Sequence, residues 1–142
     1  MTLALEEAAR AAASGEVPVG AVVVAGEAVL AVAGNRVEAL ADPTAHAEML
    51  VLRQAAAQRR TMRLADCDLY VTLEPCPMCA AAIALARLRR IYFAAYDPKG
   101  GGVEHGPRIF DQPTCHHRPE VYGGISEAAS AMLLRGFFEA RR

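Results

Sequence analysis

The sequence of 142 residues predicts a single α/β domain, spanning residues 1–142, with a central five-stranded mixed sheet. Two observations support this prediction. Short apolar runs that suit buried strands alternate with alanine-rich stretches that favour helices. In the middle of the chain the order strand, helix, strand, helix, strand indicates parallel strands joined by right-handed crossovers, so helices should cover both faces of the sheet in three α/β/α layers.

The elements follow in the order helix, two strands, helix, strand, helix, strand, short strand and closing helix. The first helix is alanine-rich with leucines at helical spacing, and Ser14-Gly15 stops it. Two apolar runs around the turn Ala25-Gly26-Glu27 predict a hairpin. Residues 96–119 show little periodicity and are predicted as a loop. The predicted helices are 2–13, a second that follows a cap at residue 42 or 44 and ends at about residue 58, 77–86 and 126–139. The predicted strands are 17–25, 28–33, 69–74, 90–95 and 120–122.

Composition and charge restrict the classes of partner. No apolar stretch reaches the roughly 18 residues of a membrane span, and residues 1–7 lack the features of a signal peptide, so we expect a cytoplasmic protein without a membrane partner. The net charge is −1, but residues 51–142 hold thirteen bases and nine acids. Three arginine clusters in that part of the chain could contact phosphates or could simply be solvated helix ends. They are Arg59, Arg60 and Arg63, then Arg87, Arg89 and Arg90, and finally Arg135, Arg141 and Arg142.

Two motifs about 30 residues apart carry the chemistry, His46-Ala47-Glu48 and Pro75-Cys76-Pro77-Met78-Cys79. One imidazole and two thiolates supply three zinc ligands and leave the fourth corner of a tetrahedron for water, whereas a structural site has four protein ligands. Cys76 and Cys79 should lie on one face of the first turn of a helix. Glu48 suits a proton carrier better than a ligand.

The start of the helix after residue 42 decides whether His46 and Glu48 can share a site. Two positions apart on a helix correspond to about 200°, so the two side chains can meet only near the helix N-terminus. Asp42 or Thr44 is predicted to cap that helix. Two helix N-termini should therefore meet at the metal.

Other interpretations of these cysteines and histidines are less favoured. A lone C-x-x-C can be a structural zinc knuckle or a redox pair, and a lone H-x-E is usually part of an ordinary helix. A thioredoxin-like protein would carry its C-x-x-C after the first strand, whereas Cys76 follows a later strand. Cys67 and Cys115 are expected to be free thiols. Cys115-His116-His117 could form a second metal site, but no spaced partner motif accompanies it.

With these motifs the chain resembles the cytidine deaminase superfamily, whose signature is H-x-E followed by P-C-x-x-C. Flanking segments extend the similarity over nearly the whole chain to the bacterial tRNA-specific adenosine deaminases. The chain differs from the better-known relatives in residues 102–110 and has no aromatic residue in its first helix. The matching segments are 16–22, 34–36, 42–48, 69–76, 97–101 and 137–138.

The resemblance implies a cytidine deaminase-like fold, one Zn²⁺ per subunit and a homodimer. The implied substrate is the wobble adenosine of a tRNA anticodon stem-loop, which is hydrolysed to inosine with release of ammonia. Glu48 would be the catalytic residue that takes a proton from zinc-activated water and delivers it to the ring nitrogen and then to the leaving amine. The implied metal ligands are His46, Cys76 and Cys79.

The resemblance also implies contacts to the substrate. The Asn35 position hydrogen-bonds the purine, the Ala47 backbone N–H supports the zinc-bound oxygen, and Val19 lines the base pocket. Asn35 could instead be a loop residue that tolerates a left-handed turn. We expect Asp97 to accept a hydrogen bond from a ribose 2′-OH and so to favour RNA over DNA. The possible RNA contacts are Lys99, Arg141 and Arg142.

Two further functions stay open from the sequence. A deaminase of the same fold acting on a free nucleobase or nucleoside, of the guanine or cytosine type, would use the same ligands and the same Glu48. The Asp97 to Lys99 loop and the basic end of the last helix favour RNA, because a free base offers no phosphates. A non-catalytic, zinc-stabilised RNA-binding module is disfavoured by Glu48, since such a module needs no carboxylate beside the metal.

Overall fold

A five-stranded mixed sheet forms the centre of the computed structural model, which describes residues 1–142. The strand order is β2-β1-β3-β4-β5, and β1 runs antiparallel to both of its neighbours, whereas β3, β4 and β5 are parallel. The carboxyl ends of β2, β3 and β4 therefore lie at one edge of the sheet, as the predicted crossovers require. The strands are β1 (Gly20–Ala25), β2 (Ala28–Gly34), β3 (Asp68–Leu73), β4 (Arg90–Ala95) and β5 (Glu120–Tyr122).

Helices cover both faces of the sheet and complete the predicted three layers. α1 and α5 pack together on one face, and α3 and α4 pack together on the other. No helix combines the length and the apolar character needed to cross a bilayer. The helices are α1 (Thr2–Ala13), α2 (Val37–Leu40), α3 (Ala47–Arg59), α4 (Pro77–Leu85) and α5 (Glu127–Glu139), with a 3₁₀ turn at Ile109–Asp111.

The main core lies between the sheet and the pair α3 and α4. Leu69 and Phe93 of the parallel strands meet Val51 of α3 and Ile83 of α4, and all four side chains are fully buried. Each such side chain contributes about 1.5–3 kcal/mol by leaving water. This packing sets the start of α3 and the start of α4 side by side above the sheet edge.

The opposite face is held by close backbone contact rather than by large side chains. α1 buries alanines at positions 4, 8 and 11, which are small enough to bring the helix onto the sheet. Gly20 of β1 lies directly below, where an added Cβ would be only 2.0 Å from the Ala4 carbonyl oxygen. The glycine at this position is therefore a requirement of the α1 contact.

Three local predictions were wrong. β1 begins at Gly20 instead of residue 17, because Pro18 cannot donate to a strand ladder. Residues 37–40 form α2, which is too short to show periodicity. His46, in an extended conformation, is the N-cap residue of α3. Asp42 instead accepts hydrogen bonds from the Thr44 N–H and hydroxyl in a turn ahead of that helix. The alternative considered for Asn35, a left-handed conformation, does not occur at that residue, whereas Ala41 at the end of α2 adopts it.

Candidate active site

The predicted metal ligands come together where α3 and α4 begin. His46 and Cys76 occupy equivalent places, because each is the extended residue immediately before its helix. Pro77 begins α4 at a position where its missing N–H costs nothing. Both helices begin at the edge where the parallel strands end, the usual place of a ligand site in an open α/β sheet.

The three ligand atoms have the spacing that a zinc ion requires. His46 Nδ1 lies 3.6 Å from Cys76 Sγ and 3.5 Å from Cys79 Sγ. Bonds of about 2.0 Å to nitrogen and 2.3 Å to sulfur at a tetrahedral angle would separate these atoms by about 3.5 Å. No other cluster of three His, Cys, Asp or Glu groups in the chain could hold a metal ion. The donor set and its spacing therefore fit zinc.

The two cysteines differ in their affinity for a proton. A hydrogen bond from Cys79 and a second one with His46 outweigh burial and lower the pKa of Cys76 to about 4. The same contact with Cys76, together with burial, raises the pKa of Cys79. The pKa of His46 is raised, chiefly by its hydrogen bond with Cys76. The contacts within the cluster thus favour the thiolate form of Cys76, which is the form that binds a metal.

Glu48 lies in the first turn of α3, facing the two cysteines. Its side chain is buried, and burial is the main cause that raises its pKa to about 7, with the charge of Cys76 adding to the shift. A carboxyl group with a pKa near neutrality can both accept and return a proton at physiological pH. Because His46 stands just outside the helix, it and Glu48 face the same space although they are two positions apart.

A pocket of about 500 Å³ opens above these groups. Asn35 connects two walls of the pocket. The Asn35 N–H donates to the Val19 carbonyl oxygen at 3.0 Å, and Asn35 Oδ1 accepts from the Ala47 N–H at 2.8 Å. The Ala47 N–H that the resemblance assigns to a zinc-bound oxygen is thus donated to Asn35 here. The predicted residues that line the pocket are Val19, Asn35, His46, Glu48, Cys76, Asp97 and Arg141.

The rim of the pocket is formed by the residues after β4 and by the end of α5. Asp97 Oδ1 accepts hydrogen bonds from the N–H groups of Gly100, at 2.9 Å, and Lys99, at 3.3 Å. The Lys99 side chain is exposed beside the pocket. The Arg141 guanidinium lies 3.4 Å above the centre of the Phe137 ring and lines the pocket, whereas Arg142 lies outside it.

Comparison with known proteins agrees with this geometry. The family model for the cytidine and deoxycytidylate deaminase zinc-binding region matches residues 1–95. Over 142 residues the chain is 56% identical to the tRNA-specific adenosine deaminase of Agrobacterium fabrum, with 100% of this chain and 93% of that protein covered. This chain belongs to the tRNA-specific adenosine deaminase family.

Further relatives and solved structures are similar to this chain. The chain is 46% identical to the tRNA-specific adenosine deaminase of Aquifex aeolicus over 100% of its own length and 93% of that protein. A structure solved in a study of tRNA:A34 deaminases, which edit A to I at the wobble position, superposes with a TM-score of 0.93 at 57% identity and covers 94% of this chain and 97% of that one. A guanine deaminase of Nitrosomonas europaea gives a TM-score of 0.78 at 25% identity, over 96% and 81% of the two chains.

Two buried carboxylates beside the pocket of the deaminase were missed by the sequence analysis. Glu16 accepts hydrogen bonds from the N–H groups of Glu38 and Ala39 and so holds α2 at the pocket wall. Glu74, directly after β3, is surrounded by N–H groups of the loop that follows β4. Burial alone would raise the pKa of Glu74, but these hydrogen bonds and one from His105 outweigh it and hold the pKa below its ordinary value. The sequence signal that could have indicated these buried carboxylates is the position of each glutamate directly beside an apolar segment.

Several residues considered from the sequence lie away from the pocket of the deaminase. Arg59 pairs with Asp66, and Arg89 pairs with Asp68 through two hydrogen bonds. Arg90 pairs with Glu120. In the Cys115-His116-His117 segment, the Cys115 thiol contacts the His117 carbonyl oxygen, and His117 Nε2 lies 2.6 Å from the Leu88 carbonyl oxygen. These contacts are structural.

Proposed function

We propose that this chain hydrolyses the wobble adenosine of a tRNA anticodon loop to inosine and releases ammonia. The observation that carries the proposal is the buried Glu48, which faces the His46, Cys76 and Cys79 cluster at the floor of a pocket large enough for a base. The high identity to tRNA-specific adenosine deaminases over the whole chain supports the same substrate. The tRNA substrate in turn supports a cytoplasmic location.

The chemistry follows from the residues at the pocket floor. His46, Cys76 and Cys79 would hold zinc, which when bound lowers the pKa of water and so supplies a nucleophile at neutral pH. Glu48 accepts a proton from the attacking water and delivers it to N1 of the purine. It then moves a proton to the leaving amino group, which departs as ammonia. Asn35 is held from both sides by backbone hydrogen bonds, so its amide can orient the purine ring.

RNA fits the pocket rim better than a free base does. Arg141 stands at the rim with its guanidinium stacked on Phe137, and Lys99 is exposed on the neighbouring loop. These cations can contact phosphates, which a free nucleobase lacks. Identity to the guanine deaminase is 25%, against 57% to the tRNA:A34 deaminase, so the free-base alternative is less favoured. A silent zinc-stabilised module would have no use for a buried Glu48, whose burial is costly.

We propose in addition that the chain forms a homodimer through α4. This helix has no charged residue in its nine positions, yet it buries only Cys79, Ala80, Ile83 and Ala84. Leu85 at its end is 77% exposed. A helix that is apolar on all sides is normally covered on all sides, so a second copy of the chain is the expected cover.

The deciding experiment is inosine formation on a synthetic anticodon stem-loop RNA with adenosine at the wobble position. Free adenosine, guanine and cytosine are assayed in parallel with the zinc-loaded protein. We expect conversion of the stem-loop alone. Conversion of a free base alone would retain the zinc chemistry and overturn the proposed substrate, and no conversion of any compound would favour the silent RNA-binding module.

A further inference from the structure

The Glu74 side chain is a buried acceptor that the proposed chemistry does not use. It leaves the end of β3 just before Pro75 and Cys76, and only 2% of the residue is exposed. Its two oxygens accept five hydrogen bonds from the loop after β4. The donors are the N–H groups of Asp97 at 3.0 Å, Val103 at 3.2 Å, Glu104 at 2.9 Å and His105 at 3.1 Å, and His105 Nδ1 at 2.8 Å.

The loop is wrapped around this carboxylate so closely that two of its positions cannot carry a side chain. A Cβ atom at Gly101 would lie 2.4 Å from Glu74 Oε2 and 2.6 Å from the Asp97 carbonyl oxygen. A Cβ atom at Gly102 would lie 2.5 Å from the Pro77 nitrogen at the start of α4. The Gly102 N–H donates to the Pro75 carbonyl oxygen at 2.8 Å. Glu74 therefore docks the loop against the helix that carries the cysteines.

The docked loop forms one wall of the pocket. Asp97 and Gly100 line the pocket, and the loop presents Lys99 beside it. Residues 97–105 contain neither strand nor helix, so their shape depends on tertiary hydrogen bonds. Replacing Glu74 by Gln would turn one acceptor oxygen into an NH2 group, so the N–H groups that face this oxygen would lose their acceptor, at a cost of about 1–3 kcal/mol for each one that is buried.

We propose that Glu74 is a positioning residue for the substrate, which holds the 97–105 loop in the shape that receives the RNA. This role depends on the proposed function, because it assumes RNA as the ligand. Glu74 borders the pocket, but its side chain is fully buried and so is not placed to contact a substrate, and it does not belong to the metal-ligand cluster. Its loss should therefore weaken binding of the stem-loop while it leaves the chemical step intact.

The first test compares Glu74→Gln with the wild type and with Glu120→Gln, an exposed glutamate on β5 far from the pocket. Zinc content, and kcat and KM on the anticodon stem-loop RNA, are measured for each protein. Since misplacement of a positioning group by about 1 Å can cost on the order of 100-fold, we expect Glu74→Gln to raise KM about 10- to 100-fold. We expect kcat to stay within about threefold, the pattern of lost uniform binding. Glu120→Gln should match the wild type.

Gly101→Ala disturbs the same contact between Glu74 and the loop, but the substitution is made in the loop and not beside the metal ligand Cys76. Its methyl group would push against Glu74 Oε2, so KM should rise while zinc stays bound. Hydrogen exchange of the 103–105 amides should accelerate in both variants. An unchanged KM in Gly101→Ala, or a loss of kcat equal to the loss of kcat/KM, would overturn the proposal. If the wild-type protein leaves the RNA unchanged, the proposed function is wrong. The positioning role is then tested separately by hydrogen exchange, and it is overturned if the 103–105 amides exchange as slowly in Glu74→Gln as in the wild type.

Discussion

At the scale of single residues, Glu48 is the group on which the proposed chemistry depends. Replacing it by Gln keeps the size of the side chain but removes its capacity to carry a proton. We expect kcat on the stem-loop RNA to fall by on the order of 100- to 10,000-fold, the usual contribution of a general acid and base. Zinc content should be unchanged, because Glu48 does not belong to the ligand cluster.

Glu6→Gln is the matched control for this change, because Glu6 is exposed on α1. Its activity and zinc content should both equal those of the wild type. Retention of most activity by Glu48→Gln would show that another group moves the proton. Loss of zinc from Glu48→Gln would instead assign Glu48 to the metal.

Asp97 tests the preference for RNA over DNA. One of its carboxylate oxygens holds the Lys99 and Gly100 N–H groups, and an Asn side chain can still accept these bonds. Asp97→Asn therefore keeps the loop and replaces the other carboxylate oxygen, which is proposed to accept from a ribose 2′-OH, by an uncharged NH2 group. We expect the ratio of kcat/KM for RNA over DNA stem-loops to fall about tenfold, since a hydrogen bond to a charged group contributes roughly 1.5–3 kcal/mol. An unchanged ratio would remove Asp97 from substrate selection.

At the scale of elements, the contact of α1 with β1 depends on Gly20. Gly20→Ala would place a methyl carbon 2.0 Å from the Ala4 carbonyl oxygen, so the helix must move. We expect the free energy of unfolding to fall by about 1–3 kcal/mol or more, as for other overpacked cores. Urea unfolding monitored by circular dichroism measures the change.

Gly136→Ala is the opposite case in α5, where an added Cβ meets nothing within 4 Å. Because alanine is the better helix former, this variant should be stabilised by about 0.5–1 kcal/mol. Equal stability of the two glycine variants would show that α1 is not packed on β1 as described.

The elements that the sequence predicted correctly are those with a strong local signal. The apolar runs around Gly26 predicted the hairpin of β1 and β2. The order of strand, helix and strand from residue 69 onward predicted the parallel pairing of β3 and β4. α2 was missed because its four residues carry no period, and Glu16, which holds it, lies more than twenty residues earlier. Contacts between residues so far apart in the sequence cannot be recognised from the local hydrophobic pattern.

The same limit applies to the candidate site. The ligand spacing His46, Cys76 and Cys79 could be predicted because each ligand sits at a helix start with a recognisable motif. The shape of the 97–105 loop could not, because it depends on hydrogen bonds to Glu74 across the sheet edge. The sequence thus predicted the ligands, Glu48 and the pocket residues Val19, Asn35 and Asp97, whereas the contacts that hold the pocket wall in place emerge from the fold.

At the scale of the whole molecule, the remaining question is what covers α4. Leu85 is 77% exposed at the end of a helix without charged residues, whereas Met132, which is 67% exposed, lies on α5 on the opposite face of the sheet. Leu85→Glu should therefore weaken the proposed dimer, and Met132→Glu should not. Because burial of a leucine contributes about 1.5–3 kcal/mol, the dissociation constant should rise roughly 10- to 100-fold or more in Leu85→Glu.

Light scattering during size-exclusion chromatography over a range of concentrations distinguishes the outcomes. We expect the wild type and Met132→Glu to elute as dimers and Leu85→Glu to shift toward the 15.1 kDa monomer at low concentration. A wild-type monomer at all concentrations would contradict the homodimer. A Leu85→Glu dimer as tight as the wild type would retain the dimer but exclude α4 as its interface, since a charged side chain cannot be buried there without a large cost.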